Sequence, residues 1–327
     1  MTAHKLITSL IAAGLASATI VAQDRRATRP VVPAPDANAP RTADPAKRGL
    51  RESDFPRTLK VGEHAYTYED FHAGAEKFTT TDMFVVTSDG VLVADGQGSP
   101  EATKGLVDAI ARVTDKPIKY VVVCSDHGDH TAGNGSFPAG VTYIIHPASK
   151  MTLDRQAATA RADAWRLPSS AELVSDKRTL TIGGEEIQIL FLGRAHTGGD
   201  LSVYLPKERI LFLSETFLNR VFPAMRSAYP REWLGALTRA EQMDVNTYVP
   251  GHGFTEAPSV SREELRAYHQ ALEAVIAEAT RLHNTGLSVD DAIKEAKFAA
   301  YGSWTLAGSQ APIAIRRVYD ELDGKLR

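Results

Sequence analysis

With 327 residues, the chain suits one large domain or two small ones, and 43% hydrophobic against 24% charged residues is the balance of a globular protein with a sizeable core. A formal net charge of −3 leaves no basic excess to neutralise a phosphate backbone, which argues against a nucleic-acid partner. The one cysteine, Cys124, rules out an internal disulfide, so the fold must be held by its core and by any metal it binds.

Residues 1–22 have the layout of a secretory signal peptide: a short polar start at His4 and Lys5, an uncharged and mostly apolar run, and small residues such as Ala16 and Ala18 that offer a cleavage point. An uncleaved anchor is the competing reading. The run is short for a span of about 20 residues, and Thr8, Ser9, Gly14, Ser17 and Thr19 dilute it. The expected location is the periplasm or the exterior, with no stable membrane insertion after cleavage. Residues 23–55 are rich in Ala, Pro, Arg and Asp and show no helical or strand period, so a disordered linker is expected there. The folded domain is expected over 56–327.

Strand and helix signals then alternate. Apolar, β-branched runs at 83–87 and 91–94 flank Ser88-Asp89-Gly90 and predict a hairpin. Ser99 and Pro100 open a predicted helix with Leu106, Val107, Ile110 and Val113 on its apolar face. KYVVVC at 119–124 predicts a buried strand, 141–145 another, and helical periodicity returns over 148–163. A second hairpin is predicted from 179–182 and 187–192 around Gly183-Gly184, with further short strands at 201–205, 210–213 and 247–249. Ser261 and Glu264 form a capping-box pattern before a long helix bearing Leu265, Tyr268, Leu272, Val275, Ile276 and Leu282, stopped by Gly286. Two shorter helices are expected before Gly324. Each half gives strands and then helix, which predicts an α/β fold with mixed sheets, packed as an αββα sandwich with outer helices and a C-terminal helical tail.

The chemistry gathers where strands end. Cys124-Ser125-Asp126-His127-Gly128-Asp129-His130 follows directly on the KYVVVC strand, where α/β folds place functional groups. Imidazole and carboxylate are good ligands for Zn2+ and similar ions, and His127, Asp129 and His130 fall within four residues. A polar surface turn is the competing reading. His196 in GRAHTGGD, Glu215 after ILFLS and His252 in VPGHG each follow or end a strand. Singly, each reads as an ordinary loop residue. Together, they would meet on one edge of the sheets.

This order of segments resembles the metallo-β-lactamase superfamily over roughly residues 58–255: an HxHxDH motif after a strand, a His in a Gly-rich turn, an Asp or Cys after another strand, and a His in a PGHG-like turn. The resemblance implies an αββα metal-dependent hydrolase. By position it implies that His127 and His196 belong to a first metal site, that Asp129, His130 and His252 form a second, and that Glu215 stands where the family has a bridging Asp or a Cys. Ser125 departs from the pattern, replacing the first His, and Glu215 departs in length. A neutral hydroxyl is a poor Zn ligand, so one firmly bound Zn2+ and a weak or absent second ion are expected, with Asp126 or Cys124 as substitute ligands. Cys124 also reads as a small buried strand residue.

Asp129 would both hold metal and orient an attacking water. The expected reaction is hydrolysis of an amide or lactam, ester or thioester in a small-molecule substrate, β-lactams among them. The alternative is a catalytically reduced metal- or ligand-binding protein on the same fold, which Ser125 favours. Supporting hydrogen bonds are expected from Thr131, Asn134, Thr197 and Asp200. Residues 217–233, with Arg220, Arg226, Arg231 and several aromatics, would suit an anionic, partly apolar substrate or simply pack. Residues 74–81 read as a flap or a plain loop, and His146 as structural.

Overall fold

Alternating β-branched runs and turns become twelve strands among residues 35–72, 77–161 and 164–326, the part of the chain that the computed structural model describes. They are β1 (Arg57–Lys60), β2 (Ala65–Phe71), β3 (Thr79–Val86), β4 (Val91–Ala94), β5 (Ile118–Val123), β6 (Thr142–Ile145), β7 (Glu172–Leu173), β8 (Lys177–Ile182), β9 (Glu185–Phe191), β10 (Leu201–Leu205), β11 (Ile210–Leu218) and β12 (Thr247–His252). The helices are α1 (Pro100–Val113), the single turn α2 (Gly128–Thr131), α3 (Pro147–Thr159), α4 (Pro230–Gln242), α5 (Pro258–Asn284), α6 (Val289–Glu295) and α7 (Ala307–Leu322). These residues all fall in one compact unit, Val31–Arg327. The expected signal peptide, residues 23–34 of the expected linker and residues 74–76 of the expected flap lie outside the described residues, while residues 79–81 of that flap belong to β3.

The strands pair in the order β7-β6-β5-β4-β3-β12-β11-β10-β9-β8, with β2 and then β1 added on the other edge of β3. The seam between the two halves is narrow: β3 meets β12 through the single pair Thr80 and His252. Three apolar layers follow. Met83, Leu92, Val122 and Ile144 from the first half face Ile187, Val203, Phe212 and Val249 from the second, filling the space between the sheets. Phe84, Val93 and Val121 pack beneath α1 through Leu106 and Ile110. Leu213 and Tyr248 pack beneath α4, α5 and α7 through Trp233, Leu272 and Val318. This is the αββα sandwich. Strands β4 to β7 run parallel, and the runs at 91–94, 121–123 and 143–145 are buried on both faces, which explains their unbroken apolar sequence. Ser99 caps α1 through the Ala102 N–H at 3.1 Å, as its position before Pro100 predicted.

Two expectations need correction. Residues 35–55 are not an unpacked linker. Ala43 and Phe55 are buried, Arg41 pairs with Glu264 at 2.9 Å, and Arg48 pairs with Glu256 while its guanidinium lies 4.3 Å above the Phe254 ring. The segment lacks an apolar period because charge holds it: its arginines neutralise glutamates buried some two hundred residues away. Nor do Ser261 and Glu264 form a capping box. The helix begins earlier, at Pro258. Ser261 instead accepts from the Tyr248 N–H at 2.8 Å, and Glu264 takes Arg41 and Arg220.

The Arg48 and Glu256 side chains are only 6% and 2% exposed, so removing the cation strands a buried carboxylate. Arg48→Ala is expected to cost about 3 kcal/mol in denaturant unfolding. A loss below about 0.5 kcal/mol, typical of a surface change, would return residues 35–55 to the status of a linker.

Candidate metal centre

Four strand-end segments deliver the six expected donors to one place. The backbone leaves β5 at Val123 and passes into α2, with His127 as the residue before the helix and Asp129 and His130 within it. His196 sits in the turn between β9 and β10, and Glu215 lies in β11. Pairing of β11 with β12 is irregular around Ser214, which has φ 47°. Such a bulge re-aims the residue that follows it, here Glu215. Gly251 makes the close approach possible, because a Cβ there would lie 2.8 Å from the Glu215 nitrogen. Gly253, at φ 82°, turns the chain immediately after His252.

The donor atoms form two groups that share Glu215: Asp129, His130, Glu215 and His252, and His127, His196 and Glu215. In the first group, His252 Nε2 is 3.1 Å from Asp129 Oδ2, 3.4 Å from His130 Nε2 and 3.4 Å from Glu215 Oε1. In the second, Glu215 Oε2 is 2.9 Å from His127 Nδ1, and His196 Nε2 is 3.0 Å from Glu215 Oε1 and 3.1 Å from His127 Nδ1. Four ligands at about 2.05 Å around a tetrahedral ion stand about 3.3 Å apart, so both groups have the spacing of a coordination shell.

The far sides of the His252, His130 and His127 rings meet polar partners. His252 Nδ1–H donates to the Thr79 carbonyl at 2.9 Å, which leaves Nε2 free to face the centre. His130 Nδ1 lies 3.3 Å from Asp95 Oδ2, a carboxylate behind a histidine as metal sites often have. His127 Nε2 meets Ser227 Oγ at 3.3 Å, and the His196 ring stands edge-on to Trp233. Thr131 Oγ1–H donates to the His127 carbonyl at 2.8 Å, while Thr197 and Asp200 bond one another and close the His196 turn. Asn134 lies apart, its carbonyl accepting from Tyr143. The donor chemistry therefore fits a divalent ion.

The substitute ligands do not reach. Cys124 is buried in the layer between the sheets, and Asp126, whose carboxyl is turned to Ser149, belongs to neither group. Ser125 is not a free hydroxyl: it donates to Glu215 Oε2. Two residues without a sequence signal join the site. Asp95, at the end of β4, accepts from the Cys124 N–H at 2.7 Å and from Ser214 Oγ. His72 Nδ1 is 3.4 Å from Asp129 Oδ2, and burial lowers its pKa to about 4.

The centre opens into a cavity of about 600 Å3. Of the 217–233 stretch, Arg226 lines it beside Leu218, Val221 and Ala224. Phe217, Phe222 and Trp233 are core residues, Arg220 pairs with Glu264, and Arg231 faces Glu321. The opposite wall comes from Leu306, Ser309, Gln310 and Ile313 at the start of α7.

Residues 77–252 match the family model described as the metallo-beta-lactamase superfamily, a span of more than half the chain. The chain is 25% identical over 211 residues to 2,4-dinitroanisole O-demethylase subunit alpha of a Nocardioides strain, covering 64% of this chain and 62% of the relative. It thus spans less than two thirds of that protein's length. It is 22% identical over 210 residues to metallo-beta-lactamase type 2 of Elizabethkingia meningoseptica, covering 62% of this chain and 80% of the relative. The metallo-beta-lactamase structure from Pontibacter korlensis superposes with a TM-score of 0.59 at 19% identity, covering 66% of this chain and 98% of that one. At that identity the likeness shows the fold.

Protons hold the charge balance of the metal-free centre. Burial alone would lower the His127 and His252 pKa values; Glu215 beside His127, and Asp129 with Glu215 beside His252, outweigh it and hold both at about 9. A raised histidine pKa lends stability that is complete below the ordinary value near 6.5 and lost as pH climbs through about 9. Metal binding needs deprotonated rings, so it strengthens over the same window. Thermal melts of the chelated and Zn2+-loaded chain at about pH 6 and about pH 9.5 are expected to show a lower Tm for the chelated form at the higher pH and a wider gap between the two. A chelated form that melts higher at the alkaline pH contradicts this charge balance.

Proposed function

This chain belongs to the metallo-beta-lactamase superfamily, and from that premise we propose that it is a metal-dependent hydrolase with Zn2+ as its ion. The observation that carries the reading is the meeting of Asp129, His130, His252 and Glu215 at coordination spacing on the wall of an open cavity. A bound divalent ion would supply Lewis acidity toward a carbonyl oxygen and bring the pKa of a water to about 7.

The residues divide the remaining work by exposure. The Asp129 side chain is 21% exposed, against 6% for His252 and none for His130, so it is the donor of its group best placed to meet water or substrate. Burial and Glu215 act to raise the Asp129 pKa; His130 and His252 outweigh them and keep it below the usual carboxylate range. An ionised Asp129 can accept a hydrogen bond from the attacking water and orient it. His130 and His252 are locked by Asp95 and Thr79 and serve as fixed donors.

Amides and lactams, esters and thioesters are the bonds such a centre suits. One relative is named as a β-lactamase and another as an O-demethylase, which supports a centre adaptable to more than one small molecule. Selectivity would then lie in the wall from α7, beyond the matched span. Leu218, Val221 and Ile313 offer an apolar face, and Arg226 is exposed with no ion pair among the described residues, which suits a partly apolar substrate with an anionic group. A binding protein without catalysis is the second reading. Ser125 favours it, but a binding role alone would not require Asp129 to face the cavity.

His130→Ala and His252→Ala are each expected to remove most metal retained after dialysis and to lower hydrolysis by more than the roughly 10- to 100-fold that loss of an outer partner costs. Unchanged metal content in either variant contradicts the assignment.

A further inference from the structure

We infer that Ser125 and Glu215 are one compensated exchange: the Glu215 carboxylate, held by the Ser125 hydroxyl, takes the place of a missing imidazole and completes a second metal position with His127 and His196. The centre then binds two ions that share Glu215. This inference rests on the metal-dependent reading above and replaces the expectation of a weak or absent second ion drawn from Ser125 alone.

Three observations carry it. First, His127 Nδ1 and His196 Nε2 stand 3.1 Å apart and each meets one oxygen of the same carboxylate, Glu215 Oε2 at 2.9 Å and Oε1 at 3.0 Å, separations near the about 3.3 Å between ligands of a tetrahedral ion. All three side chains line the cavity, and with one ligand atom from each a fourth position remains for water or substrate, the arrangement of catalytic zinc sites. Second, Glu215 faces both groups. Its Oε1 lies 3.0 Å from His196 Nε2 and 3.4 Å from His252 Nε2, one ring from each. Third, Ser125 is fully committed to that carboxylate. It is wholly buried, donates to Oε2, and accepts from the His127 N–H at 3.3 Å. Asp95 fixes its backbone by accepting from the Cys124 and Ser125 N–H groups.

The two positions are therefore coupled. A larger side chain at 125 must enter the space the carboxylate fills. An aspartate at 215 is one methylene shorter and falls short of both Ser125 and His127. A larger side chain at 125 alone, or a shorter one at 215 alone, loses the second ion, while changing both together restores an imidazole where the carboxylate was.

The test is a calorimetric Zn2+ titration of the chelated full chain, with bound ions counted by elemental analysis after dialysis and folding checked by circular dichroism. The wild type should bind two ions, and Glu215→Asp and Ser125→His should each bind one. The double variant, Ser125→His with Glu215→Asp, should bind two again. Ser125→Ala, which keeps the carboxylate and removes its anchor, should weaken the second ion about 10- to 100-fold, and it carries the test if Glu215→Asp fails to fold. One ion in the wild type, rising to two in Ser125→His alone, overturns the exchange and leaves the hydrolase reading in place. No ion in any form overturns both.

Discussion

A carboxylate only 3% exposed can stay ionised only where donors and cations surround it, and Glu215 is surrounded by the Ser125 hydroxyl and the His127, His196 and His252 rings. Burial pushes its pKa up, yet His127 and His196 hold it well below the ordinary value. Without metal, protons on His127, His130 and His252 balance Glu215 and Asp129, while burial lowers the His196 pKa. A divalent ion does the same work with fewer particles, and this is why donor spacing and charge point to the same occupant.

The scaffold serves that constraint. Four segments meet at Glu215 only because the sheets curl over one interior layer and bring the ends of β5, β11 and β12 and the β9–β10 turn to one edge. His252 sits on the seam itself, in the single ladder pair between β3 and β12. Its two neighbouring glycines allow the approach to the Ser214 bulge and the turn away from it. The arginines of residues 35–55 brace the same region from outside, since Glu256 follows His252 by four residues and Arg48 neutralises it. The cavity wall from α7 lies outside the span that matches the family, while Leu218, Val221, Ala224 and Arg226 lie within it beside the residues that hold the centre.

Much of this was legible in the sequence because strand ends announce themselves. A β-branched run that stops at Cys124 and gives way to Asp-His-Gly-Asp-His marks a functional loop, and the hairpins around Ser88-Asp89-Gly90 and Gly183-Gly184 formed where turn chemistry placed them. What stayed hidden was whatever depends on contact between distant segments. Asp95 is one carboxylate after a strand until β4 pairs with β5 and sets it under Cys124. His72 meets Asp129 only through the pairing of β2, β3 and β12. Arg48 sits in a segment without period because its stabilising partner is a buried charge rather than an apolar face. Ser261 with Glu264 showed the reverse error: a valid local pattern was used instead for long-range bonds to Tyr248, Arg41 and Arg220. Ser125 looked like a lost ligand because nothing in the chain order reveals that Glu215 reaches it.

The most direct measurement of the central claim is anomalous X-ray diffraction at the zinc edge from crystals of the Zn2+-loaded chain. The account predicts peaks on either side of Glu215, one among Asp129, His130 and His252 and one between His127 and His196, about 3.5–4 Å apart as in other two-metal centres. A map without a peak at Glu215, or with its peak at Cys124 or on the surface, would contradict it.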